Sequence, residues 1–165
     1  MLISVSELMK LEDSEKPISV DVDLSDVSFM PMPVSFSSIH VEGKLKNSGG
    51  VILLESVATG TYETVCDRCG AKMQETIQFD VCENFVKSTA DLDSDSDAVV
   101  LVSQAFDLKK TVSQFAFSSL PYKHICKEDC KGLCSACGKN LNFETCTCKE
   151  DEWNPQFEVL KGLFD

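Results

Sequence analysis

Val65-Cys66-Asp67-Arg68-Cys69-Gly70 lies between two β-like stretches, Val57 to Val65 and Lys72 to Val86, and predicts a hairpin that carries two cysteines at its tip. Working back from this tip, Val51-Ile52-Leu53-Leu54-Glu55-Ser56-Val57 extends the first arm, and the turn cluster Asn47-Ser48-Gly49-Gly50 joins it to His40-Val41-Glu42-Gly43-Lys44-Leu45-Lys46. Further upstream, Ile18-Ser19-Val20-Asp21-Val22 and Val34-Ser35-Phe36 alternate with the two-residue period of half-buried strands. The first half of the chain therefore reads as an antiparallel meander.

Working forward, Ser88 to Asp97 holds four Asp, no basic residue and one large apolar side chain. Such a segment cannot bury enough surface to offset its ordering entropy and reads as a solvated acidic loop. Ala98 to Val102 is a further strand candidate. Asp107 can cap a helix over 107–120 that places Leu108, Val112, Phe115 and Ser119 on one face and ends before Pro121. Asn154 and Pro155 can open a tail helix with Phe157, Leu160 and Phe164 on one stripe. The expected architecture is α+β, an antiparallel sheet with one or two packed helices and a cysteine-rich zinc-knuckle appendage. Residues 1–120 form the β-rich domain, 121–150 the knuckle segment and 151–165 a helix docking on the sheet.

The chain has 165 residues, 43% of them apolar and 25% charged, which suits one well-buried domain. Nothing approaches the 18 apolar residues of a membrane span, and Met1 to Glu7 has neither a basic leader nor a long apolar run. A soluble cytoplasmic protein is expected, with no membrane partner. Fifteen Lys and Arg against 27 Asp and Glu give a net charge of −12, unfavourable for neutralising phosphates.

Eight of the nine cysteines form close pairs: Cys66 with Cys69, Cys126 with Cys130, Cys134 with Cys137, and Cys146 with Cys148. In a reducing compartment such pairs point to metal or redox chemistry rather than to disulfides. Zn²⁺ takes four thiolates in a tetrahedron, and two cysteines one to four residues apart can reach one ion from a single turn. Gly70 and Gly138 each follow the second cysteine of a pair, as a knuckle that turns its N–H groups toward sulfur requires.

Eight ligands serve two ions. Cys134, Cys137, Cys146 and Cys148 enclose a short loop containing Asn140-Leu141-Asn142 that closes cheaply, so they form one site. Cys66 and Cys69 are then left to meet Cys126 and Cys130 in a long-range staple. Two alternatives stay open at this point. Cys66, Cys69, Cys134 and Cys137 could meet knuckle to knuckle, and His124 could replace a cysteine. Cys82 has no partner at ligand spacing and reads as a small buried hydrophobe.

Closed four-cysteine sites leave no place for water or substrate, which argues for a structural role and against an enzyme. His40-x-Glu42 followed by Cys66-x-x-Cys69 superficially matches a zinc deaminase, but His40 lies in a strand-like alternation and Val65 stands where that pattern has proline. No Gly-rich phosphate loop or nucleophile elbow is present, and no small-molecule substrate is expected. Neither C-x-x-C pair opens a helix in a βαβ unit, as thioredoxin-like chemistry needs, although thiolates that release zinc on oxidation could act as a switch.

Taken together, Val65-Cys66-Asp67-Arg68-Cys69, Leu120-Pro121, the run from Cys130 to Asn142 and Cys146-Thr147-Cys148 resemble the YceD-like family of large ribosomal RNA subunit accumulation proteins. The likeness extends from Asp21-Val22-Asp23-Leu24 to Asn154-Pro155 and the tail, and the full cysteine set resembles the Gram-positive form. The resemblance implies a bacterial or organellar factor needed for accumulation or processing of large-subunit ribosomal RNA, without known catalytic activity. Between Pro121 and Glu150 five Lys face four Asp and Glu, and the thiolates add negative charge once loaded. An acidic body of this kind suits a basic ribosomal protein or an RNA-processing enzyme as partner, with direct binding of ribosomal RNA the second choice.

Overall fold

The structure, a computed structural model, describes residues 1–27, 33–88, 98–101 and 103–148. Four long strands form a meander: β2 (Glu15–Asp23), β3 (Ser35–Ser48), β4 (Val51–Val65) and β5 (Lys72–Val86), after a short β1 (Leu2–Ser4). The remaining elements are β6 (Val99–Val100), β7 (Ala105–Asp107) and helix α1 (Leu108–Ser119). The sheet order is β2-β3-β4-β5-β6, antiparallel except for β6, which runs parallel to the end of β5. β1 pairs with β7 in a separate two-stranded ribbon. The expected α+β class is the observed one.

Period-two alternation explains which face is buried. Ile39, Val41 and Leu45 of β3, Ile52, Leu54 and Ala58 of β4, and Phe79, Val81 and Phe85 of β5 all point into one core. The opposite face is polar, with Glu42, Lys44, Thr59 and Gln78 among its exposed residues. Gly43 marks a place where β3 and β4 crowd together, because a Cβ there would lie 2.2 Å from the Glu55 carbonyl oxygen. A glycine at such a point lets a sheet bend sharply. A register shift between Phe36 and Ile39 adds a second irregularity in β3.

The core is closed by α1, which packs against β5 and β2. Its buried residues are Leu108, Thr111, Val112 and Ala116. Ser119, placed by periodicity on the inner stripe, is exposed, while Ala116 takes up the contact one turn earlier. Asp107 is extended and accepts a hydrogen bond from the Lys109 N–H, as an N-cap should. Phe106, just before it, stacks on Phe85 with centroids 4.2 Å apart.

No helix among the described residues is long and apolar enough to cross a membrane. The expected tail helix over 151–165 and the acidic loop, apart from Ser88, lie outside the described residues.

Candidate metal centres

The β4-β5 hairpin projects past the sheet core and ends in Cys66 to Ala71. There the Cys66 N–H donates to the Ala71 carbonyl and the Gly70 N–H to the Cys66 carbonyl, both at 2.8 Å. Cys134 to Lys139 repeats this geometry: the Cys134 N–H donates to Lys139 and the Gly138 N–H to Cys134, again at 2.8 Å. Gly70 and Gly138 hold φ of +67° and +71° in open space, so the need for glycine is torsional rather than steric.

The structure brings the eight cysteines into two clusters. Sγ atoms of Cys66, Cys69, Cys126 and Cys130 lie within 4.8 Å of one another, as do those of Cys134, Cys137, Cys146 and Cys148. Closest approaches are 3.7 Å for Cys69 to Cys126, 3.9 Å for Cys66 to Cys130, 3.4 Å for Cys134 to Cys146 and 3.5 Å for Cys137 to Cys146. All are far beyond disulfide length, and all nine cysteines are free thiols. A tetrahedron with metal–sulfur bonds of about 2.3 Å has edges of about 3.8 Å, so the donors fit a four-thiolate ion.

Long-range contacts close the first cluster. Asp67 and His124 clamp the hairpin tip to the segment after Pro121: the His124 N–H donates to Asp67 Oδ2 at 2.7 Å and the Asp67 N–H to the His124 carbonyl at 2.8 Å. Arg68 Nη1 donates to the Cys130 carbonyl at 3.2 Å, and the Cys126 N–H reaches Cys66 Sγ at 3.4 Å. Cys66, Cys69 and Cys130 are buried together with Ala71, Met73 and Ile125 around them. In the second cluster Cys137 and Cys148 are exposed, and Cys134 and Cys146 are half-buried.

Four sulfurs this close cannot all ionise without a cation, and their acidities diverge accordingly. Burial raises Cys66, yet the N–H groups of Cys126, Cys69 and Arg68 outweigh it and bring the thiol down to about 6. Burial and the neighbouring sulfurs of Cys130, Cys66 and Cys69 push Cys126 up to about 12. Cys134 is lowered to about 7, first by the Cys137 N–H, whereas Cys148 is raised to about 12, first by Cys146. In each cluster N–H donors thus make one thiol more acidic while neighbouring sulfurs make another less so, a donor set that a divalent cation would complete.

His124, considered as a replacement ligand, is buried with its ring turned toward the sheet. Nδ1 lies 3.4 Å from Tyr62 Oη and 3.7 Å from Glu75 Oε2, and His124 belongs to neither cluster. Tyr62 in turn donates to Glu75 at 2.5 Å. No spacing signal marks Tyr62 and Glu75 as partners, although both fall at inward positions of the alternation. Cys82, expected to be buried, is exposed: Val81 points into the core, so its neighbour on the strand must face out. His40 lies on the exposed face with Nδ1 2.7 Å from Asp21, consistent with a solvated strand position.

The fold and these clusters define a class: an antiparallel-sheet protein with two knuckle-based four-cysteine clusters that could each hold a metal ion. The family model described as Large ribosomal RNA subunit accumulation protein YceD matches residues 54–164, more than half of the chain, and the chain belongs to that family. Similar proteins include uncharacterized proteins of Mycobacterium bovis and Mycobacterium tuberculosis, 31% identical over 100 residues that make up 59% of this chain and 48% of theirs. A Zea mays protein named Large ribosomal RNA subunit accumulation protein YCED homolog 1, chloroplastic, is 38% identical over 60 residues, 35% of this chain and 20% of that protein. The chain thus spans about half the length of the mycobacterial relatives it matches. No solved structure matches the chain.

Proposed function

We propose that this protein is a non-enzymatic zinc-binding accessory factor that supports accumulation of large-subunit ribosomal RNA in the cytoplasm, acting through a protein partner. The observation that carries the proposal is the pair of four-sulfur clusters in a chain of the YceD family. Cys66, Cys69, Cys126 and Cys130 would hold one Zn²⁺, and Cys134, Cys137, Cys146 and Cys148 the other. A bound ion supplies the positive charge that lets four thiolates share one small volume. The chain's own groups do the rest: the N–H groups orient the sulfurs, and the Asp67–His124 clamp holds the hairpin tip against the cysteine segment. With four cysteines per ion no ligand position is left for a substrate, which favours a structural role over catalysis.

For the partner, charge favours a basic ribosomal protein or an RNA-processing enzyme. Exposed Tyr122, Leu133 and Phe143 supply apolar contact area on the cysteine segment, and a groove of about 670 Å³ runs beside Tyr122 between Arg68, Leu120 and Lys123. Direct RNA binding is the second choice because of the net charge of −12, and two of the lysines here face carboxylates: Lys139 pairs with Glu144 at 3.5 Å and Lys127 with Asp129 at 3.6 Å. The exposure of Cys137 and Cys148 supports a second role, a redox-responsive switch in which peroxide would release zinc from the outer cluster and a reductant would restore it.

Elemental analysis with mass spectrometry under non-denaturing conditions is expected to find two zinc ions per chain, and a reduced, metal-free native fold would overturn the proposal. Immobilised protein is expected to retain purified large-subunit ribosomal proteins or processing enzymes. Tight, salt-dependent retention of large-subunit RNA fragments by the chain alone would reverse the choice of partner.

A further inference from the structure

Between its two cysteine pairs the second cluster carries the turn Asn140-Leu141-Asn142, and this turn faces the first cluster. Asn142 Nδ2 lies 3.4 Å from Cys130 Sγ, and Asn142 Oδ1 accepts the Lys131 N–H at 2.9 Å. Asn140 braces this geometry, its Oδ1 accepting from the Asn142 N–H at 3.0 Å and from Asn142 Nδ2 at 2.9 Å. Its own Nδ2 points to the Cys69 carbonyl at 3.5 Å, and the Leu141 N–H donates to the Gly132 carbonyl at 3.0 Å. A loop tied down at one end by Cys137 and at the other by Cys146 therefore delivers an amide donor onto a sulfur of the other cluster.

That sulfur is buried, Cys130 being only 4% exposed, so a donor directed at it acts with little competition from water. Donors to ligand atoms hold them in orientation and set how strongly they bind the ion. We propose that Asn142 is a positioning residue of the first centre and couples the two: closure of the second cluster around its ion fixes the Asn142 amide against Cys130 and tightens the first centre. This rests on the metal reading above. By linkage the effect is mutual, so an occupied first centre strengthens the second by the same factor. Three of the four sulfurs in the first cluster belong to buried residues, against none in the second, so the second centre is the more open of the coupled pair.

The test measures zinc affinity of the first centre in the full chain, by chelator competition followed with mass spectrometry under non-denaturing conditions. The double substitution Cys137→Ser/Cys148→Ser, which disables the second cluster, is expected to weaken the first centre by about tenfold, within the usual range for coupled sites. Asn142→Ala is expected to weaken it by a similar factor, and the combination by no more than either change alone. Asn142→Asp keeps the acceptor for Lys131 while removing the donor, and serves if the alanine variant fails to fold. Cadmium NMR supplies a readout that a merely structural role would not move: the first-centre resonance should shift on filling the second centre, and Asn142→Ala should abolish that shift. Two ions bound with independent affinities, or additive effects in the combined variant, would overturn the coupling alone. Absence of ions from both clusters would instead overturn the metal reading beneath it.

Discussion

Asp107 does two jobs with one carboxylate. It caps α1 through the Lys109 N–H and pairs with the Met1 ammonium at 2.8 Å. That ammonium, followed by the N–H groups of Lys110 and Lys109, outweighs burial and holds the carboxyl below its usual range. A carboxylate whose folded-state pKa is depressed contributes stability above the unfolded value of about 3.9, and the contribution drains away as pH falls through the lower folded value. In urea titrations at pH 6 and pH 3, the stability difference between wild type and Asp107→Asn should therefore shrink at the lower pH; an unchanged difference would show that the pairing contributes nothing. Tyr62 is the other residue with a double role. Buried in the sheet core yet bonded to Glu75, and 3.4 Å from His124, it links the sheet to the segment that supplies Cys126. Burial and the Glu75 carboxylate push its phenol upward, so it stays a donor at any physiological pH.

Strands β3 to β5 and helix α1 were legible because their apolar residues keep one period over many residues, and because Asp107 and Pro121 bracket the helix. β1 and β7 were not, since three-residue strands carry no period and their pairing joins residues about a hundred positions apart. Cys82 was misread by residue type, although Asp80 and Asn84 on the same side of β5 mark an outward register. The division of the eight thiols into two groups was anticipated from loop closure, whereas the Asn142 contact was not, because an amide facing sulfur leaves no spacing signature. Among the described glycines, Gly43 leaves the least room for a side chain. A methyl group there would overlap the β4 backbone at Glu55 and Ser56. Gly43→Ala should cost about 1–3 kcal/mol or more by overpacking, read as a lower urea midpoint with an unchanged slope. A neutral result would mean that the two strands can separate freely at this point.

On the scale of the whole molecule, two apolar clusters divide the labour. The larger one, formed by the sheet, α1 and the N-terminal ribbon, contains no cysteine, while the smaller surrounds Cys66, Cys69 and Cys130. Structural zinc in small sites is worth about 10–16 kcal/mol, more than local packing can replace in a segment with almost no regular secondary structure. On the proposed zinc loading, chelation should therefore loosen residues 121–148 while the far-UV signal of the sheet persists, and protease cleavage should become confined to that segment. Simultaneous loss of the β signal would show that the sheet depends on the ions.

The hairpin that contributes Cys66 and Cys69 is completed with Val86, about forty residues before Cys126 and Cys130 follow in the chain. During synthesis, which runs at about 5–20 residues per second, this half-site waits for several seconds as an open dithiol. Over that interval both sulfurs lack the Cys126 and Cys130 partners that would complete the site, and as unpaired thiols they are open to oxidation. On the zinc reading proposed above, the vulnerable moment for this protein falls while it is still being made, and its yield in the cell should track how promptly zinc and reductant reach the emerging polypeptide.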